Sequence, residues 1–213
     1  MKTPYLLSFS LLFTSLVALP APAKPISYLH GTMVMQENDE TGNTLAIDYT
    51  FHPHFALGLY AKRDTGGQEF FTIGPQLNTL IKRWNLPEGQ GNVFGMTGVG
   101  MARQGSKSEP AAWAAFLADY ETRRVFLSYE PRLTYSGDIE KAFWQRAQIG
   151  VAPYLADYDH LNTWFVLRFD HHPAKDDGHF VITPMIRLFY KTIWLEAGYS
   201  SNNHLMLNWN KQF

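Results

Sequence analysis

Residues 44–51, Thr-Leu-Ala-Ile-Asp-Tyr-Thr-Phe, alternate between apolar side chains and small or polar ones. A period of two residues is the pattern of a β-strand whose two faces meet different surroundings. The same alternation recurs at 55–60, 193–199 and 205–210, and turn-forming residues separate the segments. The sequence therefore predicts an all-β fold.

Counting such segments predicts about twelve strands, which start near residues 31, 43, 54, 68, 91, 111, 123, 140, 160, 178, 191 and 204. The segment 110–122 is ambiguous, because Pro110 followed by an alanine-rich run could also open an amphipathic helix. An even number of antiparallel strands lets a barrel close with both termini at one rim. We expect an antiparallel barrel of about twelve strands without a second soluble domain, or of ten strands if 110–122 is helical.

Composition narrows the possible functions. The chain has 213 residues, of which 17% are charged and 15% are aromatic, with a formal net charge of -1 and no cysteine. Because no stretch gathers basic residues, a nucleic-acid partner is not expected. The absence of cysteine excludes disulfides, thiolate metal sites and thiol nucleophiles.

The N-terminal segment has the three parts of a secretory signal peptide. Lys2 precedes an apolar run from Tyr5 to Leu19, and Ala21-Pro22-Ala23 supplies small residues at the positions that signal peptidase reads. The run is shorter than the roughly 20 apolar residues that a membrane-spanning helix needs. We expect cleavage after Ala23, so that residues 1–23 are a leader and residues 24–213 form the exported barrel.

The residues that alternate with the apolar ones along each strand indicate which face of the sheet is buried. In a soluble barrel the outward phase is rich in charge, yet here the phase opposite the apolar one is mostly small or uncharged. We therefore expect apolar side chains to face lipid and the other phase to line a narrow lumen, as in a transmembrane barrel. Charges in the inward phase are balanced, four acidic against four basic: Asp48, Glu130, Asp170 and Glu196 against Lys62, Arg132, Arg168 and Arg187. Such a set can pair across the lumen.

Four prolines fall in the apolar phase, at Pro75, Pro131, Pro153 and Pro184. Proline cannot donate to a strand ladder, so each is expected to mark a bulge or bend.

The last segment carries a family resemblance. Leu205, Leu207, Trp209 and Phe213 share one phase and end the chain on an aromatic residue. Together with the leader, the two-residue period and the aromatics near predicted strand ends, this resembles the Gram-negative outer-membrane β-barrel proteins; the aromatics are Trp84, Tyr120, Tyr135, Trp164, Tyr190, Tyr199 and Trp209. In that class the terminal strand is the signal read by the barrel-assembly machinery, and Lys211 departs from its usual apolar residue. The resemblance implies an outer-membrane location, with membrane lipid and that machinery as partners, but no activity.

Residues 170–179 hold the densest group of metal-binding side chain types. His171, His172, His179 and Asp176 could bind a divalent metal, since imidazole and carboxylate suit zinc, copper or nickel. Their spacing is not diagnostic, and a solvated loop is the simpler interpretation. No other cofactor is expected.

Function is open among three classes. The favoured one is a non-enzymatic barrel, which is either a narrow passive channel for small solutes or a structural barrel with a plugged lumen. The first alternative is a hydrolase of lipid or peptide with an active site at a rim, for which Ser200, Ser201 and His204 supply residue types without a nucleophile motif. The second alternative is a metal-binding barrel that uses the 171–179 loop.

Methionines suggest one more possibility. Met33 and Met35 share one strand face and so could line the lumen together. Copper handling would use such thioethers, although apolar filling is the commoner role of methionine.

Overall fold

A computed structural model describes residues 24–173 and 180–213. It contains twelve strands: β1 Thr32–Asp39, β2 Gly42–His52, β3 Phe55–Asp64, β4 Phe70–Asn85, β5 Gly89–Gln104, β6 Lys107–Thr122, β7 Val125–Ser136, β8 Glu140–Val151, β9 Asn162–His171, β10 Phe180–Tyr190, β11 Ile193–Tyr199 and β12 Leu205–Gln212. Among the described residues, none belongs to a helix long and apolar enough to cross a membrane.

The strands form one closed antiparallel barrel. Each strand pairs with its neighbours in sequence, and β1 also pairs with β12 from Met33↔Gln212 to Gln36↔Trp209. The ambiguous segment is strand β6, which pairs with β5 along its whole length, from Gly89↔Thr122 to Gln104↔Lys107. The predicted all-β barrel of twelve strands is confirmed, and the ten-strand alternative is wrong.

The barrel has two different rims. The terminal rim carries residues 24–31, Phe213 and the turns 53–54, 86–88, 123–124, 152–161 and 191–192. The opposite rim carries the hairpins that join β1 to β2, β3 to β4, β5 to β6, β7 to β8, β9 to β10 and β11 to β12. The turn from β1 to β2 is only two residues long because Gly42 has a φ of 139°, which other residues rarely adopt.

The two faces of the wall follow the alternation in the sequence. In β2, Ala46, Asp48 and Thr50 are buried inside the barrel, whereas Leu45 and Ile47 are exposed outside it. The outward phase of the other strands is apolar as well, with exposed residues that include Leu57, Leu59, Ile73, Leu77, Val99, Phe116, Leu133, Phe165, Ile186, Leu195 and Leu207. The core of this protein is therefore its lumen, and its surface is a broad apolar belt.

The prolines do not cause the bulges that the sequence suggested. Register shifts occur at Thr50/His52 and at Leu80/Lys82. Pro75, Pro131 and Pro184 keep regular pairing with one neighbouring strand, at Leu59↔Pro75, Pro131↔Gln145 and Pro184↔Leu167. None of the three has a partner on its other neighbouring strand. Because proline lacks only the backbone N–H, leaving it unpaired with one of its two neighbouring strands accommodates it without an inserted residue. Pro153 lies beyond β8, in the turn 152–161.

Candidate functional site: the barrel lumen

Five charged side chains meet inside the barrel near the opposite rim. Arg146 Nε donates to Asp170 Oδ1 at 2.9 Å, Arg146 Nη1 to Glu37 Oε2 at 3.1 Å and Arg146 Nη2 to Asp39 Oδ2 at 3.2 Å. Arg168 Nη2 also donates to Asp39 Oδ2, at 2.6 Å, and its Nε to Asp170 Oδ2 at 2.5 Å. We call Glu37, Asp39, Arg146, Arg168 and Asp170 the lumen network.

The lumen network crosses the barrel from wall to wall. Glu37 and Asp39 lie on β1, and Arg146 lies on β8. Strands β9 to β12 separate β1 from β8 along the shorter path around the barrel. Ion pairs between such distant strands must pass through the interior, so this level of the lumen is filled by side chains.

A second group of side chains in the lumen surrounds Arg132. Its guanidinium donates to Glu130 Oε1, at 2.9 Å from Nη2, and its Cζ lies 5.4 Å from the ring centres of both Tyr60 and Trp144. Tyr60 is on β3 and Arg132 on β7, so this contact crosses the lumen as well. Charge pairing and the negative ring faces together hold the guanidinium in place.

Arg187 forms a further ion pair on the lumen side of β10 and β11. Its Nε donates to Glu196 Oε2 at 2.5 Å and its Nη2 to Gln148 Oε1 at 3.1 Å. Asn208 Nδ2 donates to the other carboxylate oxygen of Glu196 at 3.0 Å. Lys62 pairs with Asp64 near the opposite rim, at 2.8 Å.

A chain of hydrogen bonds from an indole through two side-chain amides to a carboxylate runs along the wall formed by β2 to β6. Trp113 Nε1 donates to Gln76 Oε1 at 2.8 Å, Gln76 Nε2 to Asn78 Oδ1 at 2.9 Å, and Asn78 Nδ2 to Asp48 Oδ1 at 2.7 Å. These side chains come from alternate strands, β6, β4 and β2. The intervening strands carry Gly58 and Gly98, whose missing side chains leave room for the chain.

This packing makes Gly98 sensitive to substitution. A Cβ built at Gly98 would lie 2.2 Å from Trp113 Cε2, and both residues are held in regular ladders. We expect Gly98→Ala to displace the indole, lower the free energy of unfolding by about 1–3 kcal/mol and change tryptophan fluorescence. Gly67→Ala is the control, since no atom lies within 4 Å of its Cβ position. Equal stability of the two variants, measured by denaturant unfolding, would contradict the packing described.

Residues 24–31, which we call the N-terminal strap, close the terminal end. Lys24 Nζ pairs with Glu121 and donates to Gln90 Oε1 at 2.6 Å. Ile26 is buried in an apolar cluster with Ala56, Leu80 and Phe94. Because Ile26 is 6% exposed and Lys24 is buried too, the strap enters the barrel instead of lying across its edge.

Between these groups of side chains remains a cavity of about 130 Å³, lined by side chains from both halves of the barrel. Its walls include Lys24 of the strap, Asp48, Tyr60 and Arg132. A cavity of this size holds several waters or one small ligand, since an engineered cavity of about 150 Å³ binds benzene.

Ion pairs at the opposite rim differ from those in the lumen because they face water. Glu69 accepts from Arg63 Nε at 2.8 Å and Asp138 from Lys107 Nζ at 3.1 Å. The hydrogen bond from Arg63 lowers the pKa of Glu69, and the one from Lys107 lowers the pKa of Asp138. Solvent screens such exposed pairs, so they contribute little to stability.

The eight inward charges named from the sequence lie as follows. Asp48, Arg132, Arg168, Asp170, Arg187 and Glu196 are buried, while Lys62 and Glu130 have intermediate exposure and line the cavity. The structure adds Glu37, Asp39 and Arg146, together with Lys24 and Glu121 of the terminal end. Trp144, Arg146 and Gln148 occupy every second position of β8 and face the lumen. This alternation in the sequence would have identified Arg146 as an inward charge.

The histidine loop is described only in part. Asp176 and His179 lie outside the described residues. His171 Nδ1 lies 2.8 Å from Gln145 Nε2, and the His172 ring centre lies 6.2 Å from that of Trp144. Among the described residues, no group of three or more metal-ligand side chains is found.

The two serines considered for hydrolysis accept hydrogen bonds from backbone amides. Ser200 Oγ accepts from the His204 amide at 3.2 Å, and Ser201 Oγ accepts from the Ile182 amide at 3.2 Å. Within the described part of the chain, neither hydroxyl hydrogen-bonds the His204 ring.

The terminal strand presents its apolar phase outward. Leu205, Leu207 and Phe213 are exposed, and Trp209 has intermediate exposure. Phe213 also closes the barrel, since its N–H donates to Thr32 O at 2.8 Å and its carbonyl accepts from Thr32 N at 3.1 Å.

The fold and the lumen together define a closed twelve-stranded antiparallel β-barrel with a side-chain-filled interior. No protein-family model and no curated protein matches the sequence. One solved structure, described as "Unveiling the Mechanism Behind the in-meso Crystallization of Membrane Proteins", aligns with a TM-score of 0.45 and 10% identity over 86% of this chain and 82% of that one. A likeness at this level adds nothing to the fold described above.

Proposed function

We propose that this chain is a Gram-negative outer-membrane β-barrel protein whose lumen is plugged, so that it acts as a structural barrel and not as a passive channel. The lumen network supports a plugged lumen, because its ion pairs join β1 to β8 and β9 through the interior of the barrel. The N-terminal strap gives a second closure at the other end.

The apolar belt supports the membrane location. Leucine, isoleucine, valine and aromatic side chains stay exposed around the barrel, whereas a water-soluble protein rarely exposes a large contiguous apolar surface. A closed barrel also pairs its backbone groups between strands, as hydrocarbon surroundings require. In this proposal residues 1–23 are the cleaved leader, lipid contacts the belt, and the barrel-assembly machinery reads the strand that ends at Phe213.

Conductance in planar bilayers tests the plug. We expect no current steps from the wild-type protein, because side chains fill the lumen at the levels of Arg168 and Arg132. Insertion is verified separately by heat-dependent gel mobility of the reconstituted protein. A variant that lacks residues 24–30 and carries Arg132→Ala and Arg168→Ala is the control, and we expect it to conduct. Stable steps from the wild type would instead support a narrow channel for small solutes.

A further inference from the structure

Two methionines and one carboxylate face each other on β1 and β2. Met33 and Asp48 are directly opposed in the strand register, and Met35 is the next inward residue after Met33 on β1. All three line the lumen cavity of about 130 Å³. Directly opposed residues in an antiparallel pair, such as Met33 and Asp48, have Cβ atoms about 4.5–5.5 Å apart. Met35 is opposite Ala46 and therefore diagonal to Asp48, at the roughly 7–8 Å that a long side chain can still span.

Within residues 24–173 and 180–213, no lysine or arginine forms an ion pair with Asp48. Its exposure is 3%, and its hydrogen-bond donor in the described residues is the Asn78 amide. Other carboxylates inside the barrel pair with an arginine or lysine: Asp39, Asp170, Glu196, Glu130 and Glu121. Asp119 forms no ion pair either, but it shares its end of the lumen with Lys24.

A carboxylate in this position favours a bound cation. Burying a charge costs free energy unless a counter-charge or several hydrogen bonds compensate for it. Asp48 Oδ1 accepts one hydrogen bond, and Oδ2 has no protein donor among the described residues. Such a carboxylate becomes neutral either by taking up a proton or by binding a cation, and the adjacent cavity has room for a monovalent cation.

The side chains around Asp48 indicate which cation fits. Thioether sulfur is a soft ligand that selects Cu(I) over hard ions such as Mg²⁺ or Ca²⁺. Met33 is 1% exposed, and Met35 packs beside it against the apolar cluster that contains Met185 and Met206. Methionine is also flexible enough for its sulfur to turn toward a ligand.

We propose that Met33, Met35 and Asp48 form a binding site for one soft monovalent metal ion, Cu(I) or its redox-inert analogue Ag(I). The two thioethers bind the ion, and the carboxylate neutralises its charge. The site requires the closed barrel but neither its membrane location nor its lack of conductance, so it can fail or succeed independently of the proposed function.

Silver binding tests the proposal on the complete mature barrel in detergent. The protein is refolded with silver nitrate in chloride-free buffer, freed of excess ion by gel filtration and analysed for silver by mass spectrometry. We expect about one retained Ag⁺ per chain, as one cavity with two adjacent thioethers implies. Met33→Leu with Met35→Leu should reduce retention at least tenfold, whereas Met101→Leu, on the exposed outer face, should leave it unchanged.

The nearly isosteric Asp48→Asn variant separates charge from packing. It keeps the side-chain volume and removes the negative charge, so we expect at least tenfold weaker retention with unchanged heat-dependent gel mobility. Absence of retained silver in the wild type, or equal retention in the wild type and the double leucine variant, would overturn the site. If the double variant does not fold, Asp48→Asn and Met35→Leu alone decide: full retention in both would overturn it as well.

Discussion

Replacing Arg168 with methionine should lower the free energy of unfolding by about 3–5 kcal/mol, as expected when one partner of a buried ion pair is removed. Arg168 is 2% exposed and contacts both Asp39 and Asp170. After the substitution these carboxylates and Glu37 share the single charge of Arg146. Methionine has a similar length, so the loss reflects charge and hydrogen bonding more than an empty volume.

Denaturant unfolding of the detergent-solubilised barrel measures this loss, with an exposed ion pair as the control. Arg63 and Glu69 form a pair of the same kind at the opposite rim, but their side chains are 58% and 56% exposed. Arg63→Met should therefore cost at most about 1 kcal/mol. Similar small losses in both variants would show that the lumen network does not stabilise the fold.

Much of the fold follows from side-chain period alone. The two-residue alternation fixes which residues share a face, and turn residues divide the chain into strands, so the strand number was predictable. Trp164 shows the limit of this reasoning. It is one of the aromatics near predicted strand ends that carry the family resemblance, and the structure shows it 6% exposed and packed in the lumen with Val166 and Met185.

The partners inside the lumen were less predictable, because barrel closure decides them. Glu37 and Asp39 are not among the inward charges predicted from the sequence, yet β1 continues to Asp39 because Gly42 permits a tight turn. The contact of Asp39 with Arg168 joins residues 129 apart in sequence. Strand periodicity predicts that both side chains face inward. It does not predict how far along the barrel axis each one lies, since this depends on the stagger between strands.

The N-terminal strap escaped prediction for a related reason. Lys24 follows the predicted cleavage position and has no strand pattern, so nothing in its neighbourhood marks it as buried. Its partner Glu121 lies 97 residues away on β6. The burial of Lys24 depends on the closed barrel and on the apolar cluster around Ile26, and neither is visible in the local sequence.

Phe213 combines two properties that bear on assembly. Its ring is 62% exposed on the outer surface, in the same phase as Leu207 and Leu205, so a partner can contact it before the barrel closes. Its backbone then joins Thr32 through two hydrogen bonds at the seam between the first and last strands. In hydrocarbon, each backbone group left unpaired costs several kcal/mol.

With the proposed outer-membrane location, deleting Phe213 should therefore reduce the amount of assembled barrel in that membrane severalfold, and the unassembled chains should be degraded in the periplasm. Gln212→Ala is the matched control, because it keeps the terminal ring and both seam hydrogen bonds and removes only the side-chain contact with Ser27. Immunoblots of membrane and periplasmic fractions, with and without heating, measure folded and unfolded protein separately. Equal, normal levels of the two variants would mean that the terminal phenylalanine is incidental to assembly and that strand pairing between β1 and β12 suffices to close the barrel.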